Sequence, residues 1–212
     1  MENAKPLSTP LPTYVKLSTC DSPTSDEDKE FMTKLPCQFA IGSLMYAMVA
    51  TRPDIAFAVG VVSRFMSNPG KKHWDALKLI MRYLSGTKDK CLCLGRADVS
   101  IIRYTYSDYV GCVDSRKSTS GYIVQIMGGA IAWRYRLQDC VTLSTIEVEY
   151  VAASEACKEA IWLSRLDSDM GYRNMYPKKF VIVRVSLVWL RTQYIMQRPS
   201  TLEYDTILFA NA

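Results

Sequence analysis

The chain has 212 residues, with 49% hydrophobic and 22% charged residues, a net charge of +5 and a single histidine. These values suit a soluble globular protein of one domain, or one domain plus a smaller helical unit, and the mild basic excess permits a nucleic-acid partner without requiring one. The apolar run Phe39–Ala50 is broken by Gly42 and falls well short of the roughly 20 residues of a membrane span. The N-terminus lacks the basic-then-apolar layout of a signal peptide, so an intracellular protein, cytoplasmic or nuclear, is expected.

Residues 1–28 carry Pro6, Pro10, Pro12 and Pro23 among Ser, Thr and acidic residues, which predicts a linker or disordered arm. Three helices are predicted next. Pro36–Ala50 is apolar nearly all round, and Thr51-Arg52-Pro53-Asp54 reads as a cap opening Ile55–Met66. Asn68-Pro69-Gly70 breaks that helix. Lys71–Leu84 follows, with Trp74, Leu77, Ile80 and Tyr83 at core spacing, His73 on its polar side and Gly86 as its stop.

The pattern then changes to strands: Cys91–Gly95, Ile101–Tyr109, Gly121–Met127 and Ala130–Trp133, the last two joined at Gly128-Gly129. The stretch Leu143–Met170 reads as one long helix. Ser144 and Glu147 have the spacing of a capping box, and Gly171 supplies the stop. Ile146, Tyr150, Ala153, Cys157 and Ile161 recur at helical spacing and predict the buried stripe. Phe180–Val185 is a further strand candidate. This order predicts a mixed α/β fold, a sheet with the long helix packed on it, behind a small all-helical unit.

Few residues point to chemistry by themselves. Seven scattered cysteines without a Cys-x-x-Cys pair read as reduced, mostly buried thiols, and a structural zinc site is not expected. Glu147 is accounted for by the cap. Glu149 points elsewhere and is the candidate for chemistry, against the alternative of a solvated surface carboxylate. Arg116, Lys117, Ser118 and Thr119 form a basic, hydroxyl-rich turn that suits either a phosphate backbone or a solvated hairpin. Trp133 and Trp162 lie on apolar patterns and are expected in the core. Asp167 and Asp169 suit a frayed, solvated helix end.

Three stretches together carry a resemblance: GSLMYAMVATRPDIAFAVGVVSRFMSNPGKKHWDALKLIMRYLSGT, DSRKSTSGYIVQIMGGAIAW and TLSTIEVEYVAASEACKEAIWL. In combination they are similar to the C-terminal part of the Pol polyprotein of copia-type LTR retrotransposons. The resemblance implies a reverse-transcriptase C-terminal remnant over residues 29–95, of the thumb or connection, and a ribonuclease H-like domain over residues 96–183. The polymerase's own metal-binding carboxylates have no counterpart here, so no polymerase activity is expected. The ribonuclease H site would hold Mg2+ or Mn2+ on clustered carboxylates and hydrolyse the RNA of an RNA–DNA hybrid.

Carried over by residue, the resemblance is incomplete. Tyr106 stands where the family's first-strand pattern has its first metal-holding Asp, and Arg103 stands where Gly is usual. Asp108 matches the second Asp of that pattern and Glu149 the helix carboxylate, so these two are the metal and catalytic candidates. Beyond Val183 the family's continuation is absent, although a neighbouring reading frame of the same segment can be back-translated into it. A frameshifted tail over residues 184–212 is therefore expected, without the third carboxylate. The implied reading is a Pol fragment with a catalytically dead ribonuclease H-like domain. The alternatives are a non-catalytic nucleic-acid-binding module and a live hybrid ribonuclease using Asp108.

Overall fold

The computed structural model describes residues 4–94, 101–126, 129–171 and 181–184. Contacts divide the chain into two units, residues 1–90 with Val113–Ser115, and residues 91–112 with 116–212.

The first unit is helical. Its helices are α1 (Asp26–Thr33), α2 (Cys37–Ala50), α3 (Ala56–Val62) and α4 (Lys71–Ser85). Ser25 caps α1 by accepting from Asp28 N, and three acidic residues in its first turn complement the helix dipole. Single 3-10 turns, Pro53–Ile55 and Ser63–Phe65, flank α3, so the helix predicted over Ile55–Met66 is divided. Arg52 is the N-cap of the Pro53–Ile55 turn, without a side-chain capping bond. Leu44, Ile55, Val59, Leu77, Ile80 and Tyr83 are among the buried core residues.

Three expectations for this unit are corrected. The N-terminal arm packs: Leu11 and Leu17 are buried in the same core, and Arg82 Nε donates to Lys5 O at 2.8 Å. Burial of these two side chains offsets part of the entropy of ordering a proline-rich strap. His73 is fully buried, not on a polar face. Its Nδ1 accepts from Gly70 N at 2.9 Å and its ring stacks on Phe65 at 4.3 Å, so it both caps α4 and fills core space. On α2, one side is buried through Cys37, Ala40, Ile41 and Leu44, while Phe39, Tyr46 and Val49 are exposed.

Pro53 and Asp54 carry a buried network. Arg52 holds Asp54 through two bonds, Nε to Oδ1 at 2.9 Å and Nη2 to Oδ2 at 2.7 Å. The Tyr83 hydroxyl also donates to Asp54 Oδ2, and Arg52 reaches Thr87 Oγ1 at 2.6 Å. Every oxygen of the buried carboxylate has a donor, which is the condition for burying a charge at tolerable cost.

The second unit is a four-stranded mixed sheet. Its strands are β1 (Ile101–Asp108), β2 (Thr119–Ile126), β3 (Gly129–Leu137) and β4 (Val181–Arg184), in the order β3-β2-β1-β4. The β1–β2 and β2–β3 pairs are antiparallel, and β4 runs parallel to β1 from Ile102↔Val181 to Thr105↔Arg184. A parallel neighbour needs a crossover, and α5 (Thr145–Asp169) lies in that connection. Of the segment Cys91–Gly95, residues Cys91–Leu94 form no strand beyond an isolated bridge at Cys91, and Gly95 lies outside the described residues.

The face that α5 buries differs from the predicted one. Val148, Ala152, Ala156 and Ala160 are buried, and Ala156 packs with Tyr122 and Val124. Ile146, Tyr150, Cys157 and Ile161 are exposed. A row of small residues lets the helix axis approach the bulky Tyr122 and Val124 of β2, which the larger stripe could not do without overpacking. Trp162 is 56% exposed and lies outside the core, whereas Trp133 packs partly against Ile123 and Ala130. Ser144 Oγ accepts from Glu147 N as expected, but Glu147 Oε2 accepts from Leu143 N, one residue before the cap. Gly171, at φ +85°, ends the helix in the left-handed conformation that glycine adopts without strain. Cysteine burial is also lower than expected: only Cys37 and Cys112 are buried.

Candidate nucleic-acid and metal site

The site residues proposed from sequence fall on β1, on the turn between β1 and β2 and the first residue of β2, and on the second turn of α5. Tyr106 pairs with Gly121 and is 6% exposed; Asp108 pairs with Thr119 at the end of β1 and is half-buried. Alternation places Tyr104, Tyr106 and Asp108 on the face that carries Ile123, with which Tyr104 packs. The Ala stripe of α5 covers the other face, that of Tyr122 and Val124, to which Thr105 and Arg103 are paired. Asp108 therefore emerges on the face opposite the helix that carries Glu149.

Asp108 is held in a tight setting. A Cβ at Gly111 would stand 2.5 Å from Asp108 Oδ2 and 3.4 Å from Thr119 Oγ1, so a side chain here would require the carboxylate to shift. Glu149 flanks the buried stripe of α5 and is half-buried, while Glu147 is exposed and engaged in the cap. Among the described residues, no group of three or more His, Cys, Asp or Glu side chains gathers where a metal ion could be held. A multi-carboxylate Mg2+ or Mn2+ centre needs several oxygen ligands converging on one point, and the described residues alone do not assemble one.

The basic turn separates into two kinds of residue. Arg116 is exposed at φ 53°, and its N–H donates to Cys112 O at 2.9 Å, closing the turn. Lys117 Nζ donates to Asp139 O at 2.8 Å. Ser118 and Thr119, the hydroxyl residues of the same turn, are each 1% exposed. Ser118 Oγ accepts from Val110 N at 3.1 Å and is bonded to Thr142 Oγ1 at 2.9 Å; it ties the turn to the loop before α5. Thr119 Oγ1 is buried with no hydrogen-bond partner.

Sequence reasoning assigned no role to two buried polar side chains on the helix-covered face. Arg103 is 1% exposed beneath α5, and burial pulls its guanidinium below the usual arginine range, with Cys157 of α5 opposing the shift. The Tyr122 hydroxyl donates to Glu159 Oε2 at 3.2 Å, and burial pushes the phenol up to about 12. The signal for Arg103 was its place in an alternating apolar strand, where a charged residue is rarely fully buried.

The chain is 54% identical over 182 residues to a retrovirus-related Pol polyprotein from transposon TNT 1-94 of Nicotiana tabacum, a match covering 86% of this chain and 14% of that polyprotein. It is 33% identical over 191 residues to the Pol polyprotein of transposon RE1 of Arabidopsis thaliana, covering 90% of this chain and 13% of the relative. The chain is similar to one stretch of retrotransposon Pol polyproteins. It spans a small part of these polyproteins. A shorter relative, named secreted RxLR effector protein 161, of Plasmopara viticola, is 47% identical over 134 residues, which cover 63% of this chain and 94% of that protein. No family model and no solved structure matches the chain.

Proposed function

We propose that the chain is the C-terminal part of a copia-type Pol polyprotein, a reverse-transcriptase remnant followed by a ribonuclease H-like domain that has lost catalysis. The mixed sheet with a long crossover helix supports the ribonuclease H-like reading. The observation that carries the loss is Tyr106. A phenol, buried on β1, stands at the position of the first metal-holding carboxylate. A phenol does not ligate a hard divalent cation as a carboxylate does. Asp108 is no direct substitute, since it lies on the same face as Tyr106 but one residue pair further along β1, at the end of the strand. The tail after Val183 is read as frameshifted; the coding DNA tests this directly, and absence of the family's codons from the neighbouring frame removes that part of the proposal.

The activity test is cleavage of a labelled RNA–DNA hybrid with Mg2+ or Mn2+. No cleavage is expected from the unmodified chain or from Tyr106→Asp alone. Metal-dependent cleavage by the unmodified chain that disappears in Glu149→Gln would overturn the reading. A second reading, a non-catalytic nucleic-acid-binding module, draws on the exposed Arg116 in the basic turn between β1 and β2. It predicts salt-dependent hybrid binding without cleavage, weakened in Arg116→Ala.

A further inference from the structure

We propose that Cys91 and Cys93 form a dithiol chelate for a soft, thiophilic metal ion, a site independent of the ribonuclease H reading. The two Sγ atoms stand 3.5 Å apart, with Cys91 exposed and Cys93 half-buried. The intervening Leu92 packs against the cluster of Ile123, Ala130, Tyr104 and Trp133. With Leu92 anchored inward, the two flanking cysteines bring their sulfurs together beside it.

The segment is fixed from a second direction. A Cβ at Gly129, the first residue of β3, would lie 2.6 Å from Cys93 O, so the glycine admits the Cys93–Leu94 backbone against the hairpin. The thiol pair is therefore held by packing on both sides, which lowers the entropic cost of closing a chelate.

The separation favours a bridging ion over a direct bond. A disulfide needs sulfurs about 2.05 Å apart and Cα atoms within roughly 6.8 Å, at the limit of two residues spaced along an extended chain. A metal about 2.3 Å from both sulfurs subtends an angle of about 100° across 3.5 Å, close to a tetrahedral edge. Two thiolates select soft ions over Mg2+ or Ca2+, and the remaining positions are left to solvent or a further ligand. Binding displaces the two thiol protons to solvent, so affinity rises with pH.

The test uses the full chain with Cys20, Cys140 and Cys157, the other exposed thiols, changed to Ser. Cd2+ is titrated and the sulfur-to-metal charge-transfer band is followed in the ultraviolet. One equivalent should saturate the band, and Cys91→Ser or Cys93→Ser should each weaken binding by about tenfold or more. Circular dichroism of each variant checks that the sheet is retained. Absence of a stoichiometric band overturns the proposal. So does a band that persists in both single variants, or an intact mass showing that the pair closes to a disulfide in place of taking metal.

Discussion

The Tyr83 hydroxyl donates to Asp54 Oδ2 at 2.7 Å, joining the last turn of α4 to the turn that opens α3. The same carboxylate is gripped by Arg52, whose side chain is 12% exposed against 3% for Asp54. The proline turn is thus a fastener between helices. Burial and the neighbouring Asp54 raise the Tyr83 phenol, so it donates throughout the neutral range. Tyr83→Phe should cost about 1–3 kcal/mol by leaving one acceptor short of a donor. Asp54→Ala should cost about 3–5 kcal/mol, since it strands the Arg52 charge. Urea unfolding of the chain measures both, and equal losses would contradict this account.

His73 makes the helical unit acid-sensitive. Burial lowers its pKa from 6.5, with Asp21 and Asp114 opposing and Lys72 reinforcing that shift. The folded state keeps Nδ1 unprotonated to accept from Gly70 N, while the unfolded state binds the proton near pH 6.5. Between the two pKa values the unfolded chain holds more protons, so stability rises with pH there. The contribution is full above about pH 6.5 and is lost as pH falls toward the folded-state value. Asp21, held below its usual value by Lys72, acts only at lower pH. As this is the single histidine, its ring resonances titrate without overlap. A midpoint at or above that of a model peptide would contradict the assignment.

The two faces of α5 should respond oppositely to substitution. Ala156, fully buried against Tyr122 and Val124, has no room for added methylenes, and Ala156→Leu should cost about 1–3 kcal/mol or more. Ile146→Ser and Ile161→Ser, on the exposed side, should lie within about 0.5 kcal/mol of the parent chain. Thermal unfolding followed at the sheet distinguishes the faces; the reverse ranking would restore the stripe expected from sequence.

Ser118 and Thr119 are neighbours with opposite energetics. Ser118→Ala removes the acceptor of Val110 N and the partner of Thr142, and should destabilise by about 1–3 kcal/mol. Thr119→Val replaces a buried hydroxyl that has no partner, and should be neutral or stabilising by about 1 kcal/mol. Chemical denaturation checks the signs. A loss of hybrid binding in Thr119→Val at unchanged stability would return that residue to the nucleic-acid surface.

Spacing and punctuation made most of the elements legible. Asn68-Pro69-Gly70, Gly86 and Gly171 bracket α4 and the end of α5, and β-branched and aromatic alternation marked β1 and β2. What escaped was the choice between competing faces. α5 carries two apolar rows, and the row of alanines is the buried one because close approach to the sheet favours small side chains. Leu11 and Leu17 showed no periodicity among prolines, so their burial left no local trace. His73 lies four residues before Leu77 and seven before Ile80, both buried, a core spacing that its polarity disguised. The Tyr106 substitution was visible only against the family pattern, and the opposite placement of Asp108 and Glu149 only from strand register.

The fourth strand joins the sheet from far along the chain. Among the described residues, β4 pairs β1 from Ile102↔Val181 to Thr105↔Arg184. The β2 and β3 strands and the whole of α5 lie between these two partners in sequence. The antiparallel pairs are local and close first, whereas the parallel pair must wait for a long loop to be ordered, so the β1–β4 seam is the late, slow step in assembling this sheet.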